Sequence, residues 1–292
     1  MHSHTPKYNS AFTIGISLNV IYIVVEFIFG LLSNSIALIA DAGHNLSDVL
    51  GLMLAWGASY FAVKSPTNKR TYGYRKTTVL ASLTNAVILL IAVGAIAIEA
   101  INRFAEPQAI ESETIIYVAL IGVVINGITA YLFFGDHKHD INIKGAFLHM
   151  AADAAVSLGV VIGAIIISYT NLFWIDPVIS LVIAGVITIG TWGLLKESLN
   201  LSLDAVPKNI DIEAVREYLT KLEGVVGVHD LHIWAMSTTE TALTVHLHKP
   251  NGESEDDFIA KVNKDLHDKF EINHATIQIE RTENCNDCNM NE

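Results

Sequence analysis

The first candidate for chemistry is a polar pattern inside an apolar stretch, DAGHNLSDV. Asp41, His44, Asn45 and Asp48 occupy positions i, i+3, i+4 and i+7, which lie along one face of an α-helix. Each ionisable side chain in a membrane-spanning helix costs about 3 kcal/mol to insert, so such residues usually mark a functional site. The pattern therefore needs a function that explains its cost.

A second apolar stretch, HMAADAAVSLG, carries a similar pattern later in the chain. His149 lies four residues before Asp153, and Ser157 follows one turn further. Each His-x-x-x-Asp pair can direct one imidazole nitrogen and one carboxylate oxygen to a single point. A lone histidine or aspartate could instead form a hydrogen bond between membrane helices. Two matched pairs favour a metal site.

Two such pairs facing each other would form a tetrahedral His2Asp2 site, which Zn²⁺ accepts. Its ligands would be His44, Asp48, His149 and Asp153. Metal ligands must be deprotonated, so zinc and protons compete for these atoms, with the two histidines as the expected proton carriers. We therefore expect exchange of metal against protons. Nearby polar groups are expected to line the pathway, lie just behind the ligands or contact a partner helix: Asn19, Glu26, Asp41, Asn45 and Ser157.

Six apolar runs can position these residues, since a membrane-spanning helix needs about 20 residues. The second and fifth runs cross the bilayer in opposite directions. At about 1.5 Å of rise per residue, Asp48 and Asp153 both come near its middle, so the two pairs can meet. The predicted spans are 11–31, 37–62, 78–101, 114–134, 145–169 and 177–195.

Basic residues lie almost entirely on one side of these spans. The opposite loops contribute only Arg103. Because Lys and Arg accumulate in cytoplasmic loops, both termini are predicted to be cytoplasmic. If the cell is prokaryotic, the membrane is expected to be the plasma (inner) membrane. The basic set is Lys7, Lys64, Lys69, Arg70, Arg75, Lys76, Lys138 and Lys144.

Composition supports a membrane protein with an acidic end. The chain is 51% hydrophobic and 16% charged, whereas soluble domains are about 25% charged. From Lys196 onward there are 19 acidic and 9 basic residues. This balance argues against nucleic acid as a partner, because phosphate contacts need Lys and Arg, and it would attract cations.

The acidic end has the periodicities of a small mixed domain. Helical patterns at 211–224 and 254–270 alternate with strand patterns at 225–236, 241–250 and 274–282, in the order αββαβ. The predicted organisation is a cytoplasmic tail (1–10), a six-helix transmembrane domain (11–195), a linker (196–208), a cytoplasmic αββαβ domain (209–282) and a flexible Cys-x-x-Cys tail (283–292).

The six helices, DAGHNLSD, HMAADAAVSLG, TYGYRK and an αββαβ tail that opens GVHDLHIW together resemble the cation diffusion facilitators. The resemblance covers nearly the whole chain. It implies a ferredoxin- or metallochaperone-like cytoplasmic domain and a homodimeric metal/proton antiporter, not an enzyme, that exports divalent metal by alternating access. The implied ligands are His44, Asp48, His149 and Asp153. A histidine first in the second-helix pair resembles zinc-preferring members, with Cd²⁺, Co²⁺, Fe²⁺ and Mn²⁺ as alternatives.

The resemblance also implies a cytoplasmic metal site at the dimer interface. His229 and His246 match its positions, and Glu280 is a further candidate ligand. The weaker candidates are His232, His248 and Gln278. The family further implies a charge interlock between the membrane and cytoplasmic domains, near Lys76 and Asp204. The loop KSPTNKRTYGYRK contains no Asp or His, so no metal site is expected there.

The only two cysteines, Cys285 and Cys288, have Cys-x-x-Cys spacing, which chelates zinc if two more ligands arrive. His2 and His4 are expected on the same side of the membrane and could complete a capture site. The alternative is a reduced, flexible tail.

Two other classes of function compete with transport. An intramembrane metalloenzyme would need a His-Glu-x-x-His helix or an open coordination position, which neither pair provides. A membrane metal sensor would leave the intramembrane pairs unexplained. The sequence therefore predicts export of Zn²⁺ in exchange for protons.

Overall fold

The computed structural model describes residues 9–134, 141–250 and 255–282. For residues 9–19, 52, 55, 132–134, 141–146, 149 and 255, it describes the backbone alone. The chain divides into two compact units. The first contains Met1–Met53 and Asn85–Gly193, and the second contains Leu54–Thr84 and Leu194–Glu292.

Long helices form at each of the six apolar runs. Within the described residues, four segments are long and apolar enough to cross a membrane: Thr77–Ala105, Ser112–Tyr131, Met150–Thr170 and Ile175–Ser202. The first helix adds the shorter apolar segment Val20–Leu32. The helices are α1 (Asn9–Leu32), α2 (Ile36–Ala62), α3 (Thr77–Ala105), α4 (Ser112–Phe134), α5 (Ile141–Thr170) and α6 (Ile175–Ser202). The predicted helical membrane fold is confirmed, and α6 continues into residues assigned to the linker.

Two side chains cap the start of α2. Ser35 Oγ accepts a hydrogen bond from the Leu38 N–H at 3.1 Å, the usual bond of a helix N-cap. Asp176, in the first turn of α6, accepts the Ile36 N–H at 2.8 Å. Its carboxylate therefore lies at the positive end of the α2 dipole.

Helix α1 packs against α4 where α4 has a glycine. A Cβ atom on Gly122 would lie 2.1 Å from the phenol oxygen of Tyr22, so a larger residue would displace the tyrosine. Helix α4 also packs along α5. The buried apolar residues of this unit include Leu38, Leu89, Ile115, Val160 and Ile183.

The second unit contains the predicted αββαβ order, which is confirmed. Its elements are α7 (Ile212–Thr220), β1 (Gly227–Ala235), β2 (Thr241–His248), α8 (Glu255–Phe270) and β3 (Ile272–Glu280). Strand β2 lies in the middle, antiparallel to β1 and parallel to β3. The parallel pair needs a crossover, which α8 supplies.

Along the central strand β2, one face of the sheet is apolar and the other is polar. Leu243, Val245 and Leu247 are buried in the core, whereas His246 and His248 alternate with them and are partly exposed. Successive strand residues point to opposite faces, so the histidines line the other side of the sheet. Core residues from the helices include Val215, Leu219, Val262 and Leu266.

Candidate metal centres

One histidine and two carboxylates meet between α2 and α5 in the first unit. His44 Nε2 lies 3.3 Å from Asp153 Oδ1, and His44 Nδ1 lies 3.9 Å from Asp48 Oδ2. The three residues can offer ligand atoms that all lie within 4.8 Å of one another. His44 and Asp48 are one turn apart on α2, so helical geometry places them on one face. This arrangement can hold a divalent cation.

The fourth predicted ligand, His149, lies in α5 four residues before Asp153. Its side chain is outside the part of the chain that the structure describes.

Exposure differs across this cluster. The side chain of Asp153 is 2% exposed, that of His44 is 19% exposed and that of Asp48 is 35% exposed. Of the three predicted ligands whose side chains are described, Asp48 is therefore the most exposed and Asp153 the most enclosed.

Beyond Asp153, a buried polar network continues along the helices. Ser157 donates a hydrogen bond to Asp41 Oδ2 at 2.7 Å, one turn from the His44–Asp153 contact on both helices. Asn45 Nδ2 donates to Glu26 Oε2 at 3.3 Å, so the predicted pathway residues Asp41, Asn45 and Ser157 lie together with Glu26. The side chain of Asn19 is outside the described part.

Tyr22 belongs to the same network and was not predicted from the sequence. Its hydroxyl donates to Glu26 Oε1 at 2.7 Å. The available signal was the spacing of four residues from Glu26, which puts the two side chains on one face of α1.

A second cluster lies on the polar face of the three-stranded sheet in the second unit. His229 Nε2 is 3.0 Å from Glu280 Oε2, and His246 Nδ1 is 3.0 Å from Glu280 Oε1. Each strand contributes one residue, since His229 pairs with His246 across β1 and β2 and Glu280 ends β3. The three predicted residues form the second group of possible metal ligands in the described chain.

The weaker candidates lie around this cluster but not in it. Gln278 Nε2 donates to Glu280 Oε1 at 3.1 Å, and His232 Nε2 lies 2.9 Å from Asp230 Oδ1. Asp230 also lies 3.5 Å from His246 Nε2. Asp230 was not predicted, and His248 is not among the clustered residues.

Family comparison agrees with this architecture. A family model for the cation efflux transmembrane domain matches residues 12–201, and a model for the cytoplasmic domain of cation efflux proteins matches residues 207–282. The chain belongs to the cation efflux family. It is an integral membrane transporter and not an enzyme, as predicted.

Curated efflux relatives match most of their own length. CzcD of Cupriavidus metallidurans, a metal cation efflux system protein, is 35% identical over 280 residues, which cover 96% of this chain and 89% of that protein. ZitB of Escherichia coli K12, a zinc transporter, is 33% identical over an alignment of 298 positions, which covers 99% of this chain and 94% of ZitB. The cadmium, cobalt and zinc/H⁺-K⁺ antiporter of Bacillus subtilis 168 is 34% identical over 265 residues, which cover 89% and 85%.

Among solved structures, the metal-bound C-terminal domain of the Cupriavidus metallidurans CzcD transporter is 34% identical to this efflux protein. It matches 24% of this chain and 99% of the domain, with a TM-score of 0.22.

The predicted interlock residues of this efflux protein meet in the second unit. Lys76 Nζ forms an ion pair with Asp204 and lies 3.4 Å from the Leu201 carbonyl oxygen. Beside it, Arg75 lies 3.0 Å from Glu240 in the turn between β1 and β2. The start of α3 is thus tied both to the end of α6 and to the cytoplasmic sheet.

The predicted capture site falls on His2, His4, Cys285 and Cys288. All four residues lie outside the described part of this efflux protein.

Proposed function

We propose that this efflux protein exports Zn²⁺ from the cytoplasm in exchange for protons, at a site formed by His44, Asp48, His149 and Asp153. The proposal rests on the convergence of His44, Asp48 and Asp153 from two membrane helices, since one imidazole and two carboxylates suit a divalent metal. His149 is added from its spacing on α5.

The names of the relatives support this cargo and this counter-ion. ZitB is a zinc transporter, and the Bacillus subtilis relative exchanges cadmium, cobalt and zinc against H⁺ and K⁺. Chemistry supplies the coupling, because imidazole and carboxylate must lose protons before they bind a metal. When zinc leaves, ionised groups in a low-dielectric site take up protons again, since buried charge without a partner is costly.

The exposure gradient supports alternating access. The side chain of Asp48 is 35% exposed, whereas those of Asp41, two turns before it on α2, and Ser157, one turn after Asp153 on α5, are fully buried. With both termini cytoplasmic, Asp48 lies on the cytoplasmic side of His44, and the Asp41–Ser157 contact lies on the outer side. We infer that zinc reaches the site from the cytoplasmic side, and that its release on the outer side requires Asp41 and Ser157 to separate.

The cytoplasmic cluster is proposed to bind a second zinc ion through His229, His246 and Glu280, in a homodimer that associates through both domains. His229 Nε2 is buried and lies 3.0 Å from Glu280 Oε2. This nitrogen and the Glu280 carboxylate are suited to a shared metal ion, which would join all three strands. The capture role of His2, His4, Cys285 and Cys288 is proposed from sequence alone.

Zinc flux into liposomes tests the proposed exchange. Wild-type protein should carry zinc faster when a pH gradient is imposed than without one, and Asp48→Ala should carry no more than protein-free liposomes. Glu113→Ala, an exposed carboxylate in the first turn of α4, is the control and should keep wild-type flux. Zinc flux that does not change with the pH gradient would refute proton exchange. Wild-type flux in Asp48→Ala would refute the proposed zinc site.

Another divalent metal is the second candidate cargo, which the cadmium and cobalt in the name of the Bacillus subtilis relative favour. Replacing His44 with aspartate exchanges a nitrogen ligand for an oxygen ligand, and ligand type helps select the metal. We expect His44→Asp to raise the ratio of cadmium flux to zinc flux several-fold, measured with each ion alone and in competition. An unchanged ratio would show that His44 does not select the metal.

A further inference from the structure

Two carboxyl groups that are not proposed zinc ligands are buried together on the far side of Asp153. Glu26 of α1 and Asp41 of α2 have no exposed surface, and they lie within hydrogen-bonding reach of each other. Fixed donors hold both ends of the pair. Tyr22 and Asn45 donate to Glu26, and Ser157 donates to Asp41.

The pair lacks one donor. Asp41 Oδ1 is buried and receives no hydrogen bond from the described residues. An ionised carboxylate can only accept, so Glu26 and Asp41 can bond to each other only if one of them carries a proton. A buried acceptor without a donor is otherwise unfavourable. The unfilled acceptor position therefore fits a shared proton.

Among the titratable groups that act on the pair in the described residues, His44 is the one basic side chain, against two adjacent carboxyl groups. The titratable groups that act on the pair within the described chain are Tyr22 on α1, His44 on α2 and Asp153 on α5. Helix α4 contributes the Val118 carbonyl oxygen, 3.5 Å from the Tyr22 hydroxyl. Two adjacent buried carboxyl groups in such an environment hold one proton between them, because both cannot ionise at low cost.

Asp176 shows the contrast within the same unit. It is also buried, at 3% exposed. Its carboxylate accepts hydrogen bonds from Ser35 Oγ, the Ile36 N–H and the Ala37 N–H. Because three donors already satisfy it, Asp176 needs no proton.

We propose that Glu26 and Asp41 form a second proton site, which holds one proton while the zinc site is empty and releases it when zinc binds. The O–H bond breaks, the proton passes to water, and the pair becomes doubly negative beside the arriving dication. The reverse follows when zinc leaves. A nearby cation favours the ionised carboxylates, which couples the pair to the zinc site although neither residue is a proposed ligand. The proposal deepens the proposed function and rests on it.

Proton release on zinc binding tests the second proton site. Purified full-length protein at neutral pH is titrated with zinc in weak buffer, and a pH dye counts the protons released per zinc bound. We expect Glu26→Gln and Asp41→Asn each to release about one proton fewer than wild type while zinc binding persists. The double variant should release the same number as either single variant, because the two residues share one proton. Asp176→Asn, the matched buried carboxylate, should release as many as wild type.

Infrared spectroscopy gives an independent measurement, because the shared proton can be detected in the metal-free protein. Metal-free wild type should show a carboxylic-acid C=O absorption that disappears with zinc and that either Glu26→Gln or Asp41→Asn abolishes. An absorption unchanged in both variants, or wild-type proton release in Glu26→Gln, would overturn the second proton site. Loss of zinc binding in Glu26→Gln would also overturn it, by making Glu26 a ligand or a structural group. The flux experiment with Asp48→Ala tests the zinc site and does not depend on any of these results. Failure of the second proton site can therefore be told apart from failure of the proposed function.

Discussion

Replacing Asp153 with alanine should reduce zinc flux to the leak of protein-free liposomes. Of the proposed ligands with described side chains, Asp153 is the most enclosed, at 2% exposed, and its Oδ1 lies 3.3 Å from His44 Nε2. Its loss removes a negative charge where the dielectric is lowest, so Asp48 alone would offset the dication. Residues that only orient metal ligands change affinity about 10–100-fold, so loss of a ligand itself should cost at least about 100-fold.

Two further variants separate charge from shape. Asp153→Asn keeps the size of the side chain but loses its charge, and should fail as alanine does. Asp153→Glu keeps the charge but moves it, and should retain part of the zinc affinity measured by isothermal titration. Glu113→Ala is again the control. Wild-type flux in Asp153→Asn would show that the carboxylate is not a ligand.

The helical part of the fold could be predicted because its physics is local. An apolar run of about 20 residues in a bilayer must satisfy its backbone internally, and a helix does so. The bounds of α2 were predicted as 37–62 and are Ile36–Ala62. The αββαβ order was equally predictable, because the 3.6-residue period of a helix and the 2-residue period of a strand differ clearly over segments of this length.

The proposed metal ligands were accessible from sequence for a similar reason. His44 and Asp48 share a face of any α-helix, and opposite helix directions with similar depth let Asp153 meet them. Spacing could not predict which side chain caps the start of α2. The carboxylate of Asp176 caps α2 from a segment 140 residues away, and a sequence window contains no sign of that contact.

The missed residues depend on tertiary or irregular geometry. Tyr22 looks like any aromatic residue of an apolar helix until Gly122 lets α4 approach and its hydroxyl reaches Glu26. Asp230 has a φ of 51° at a register shift between His229 and His232. An irregularity of this kind redirects side chains, so regular alternation did not place Asp230 beside His246.

Replacing His246 with alanine should remove one bound zinc ion per chain from the cytoplasmic domain. His246 lies on the central strand and contacts Glu280 from β3 at 3.0 Å, while its ring lies 5.4 Å from that of His229 on β1. Without it, one imidazole and one carboxylate remain of the three clustered residues. The measurement is zinc content after equilibrium dialysis, in an Asp48→Ala background that removes the membrane site.

His248 is the matched control for this experiment. It lies two residues further along the same strand and faces the same side of the sheet, but it is not part of the cluster. His248→Ala should keep the zinc content of the background protein. Equal zinc loss in both variants would point to general damage of the sheet, and no loss in His246→Ala would refute the cytoplasmic site.

Stability should report the same site independently. A ligand that binds only the folded state stabilises it by RT ln(1 + [L]/Kd), which is about 2.7 kcal/mol when free zinc is 100 times Kd. His229, His246 and Glu280 come from three different strands, so a metal ion held by all three resists separation of the sheet. Zinc should therefore raise the unfolding temperature of the Asp48→Ala protein and of its His248→Ala derivative. The His246→Ala derivative should show a much smaller rise, because two remaining ligands cannot hold the ion as tightly.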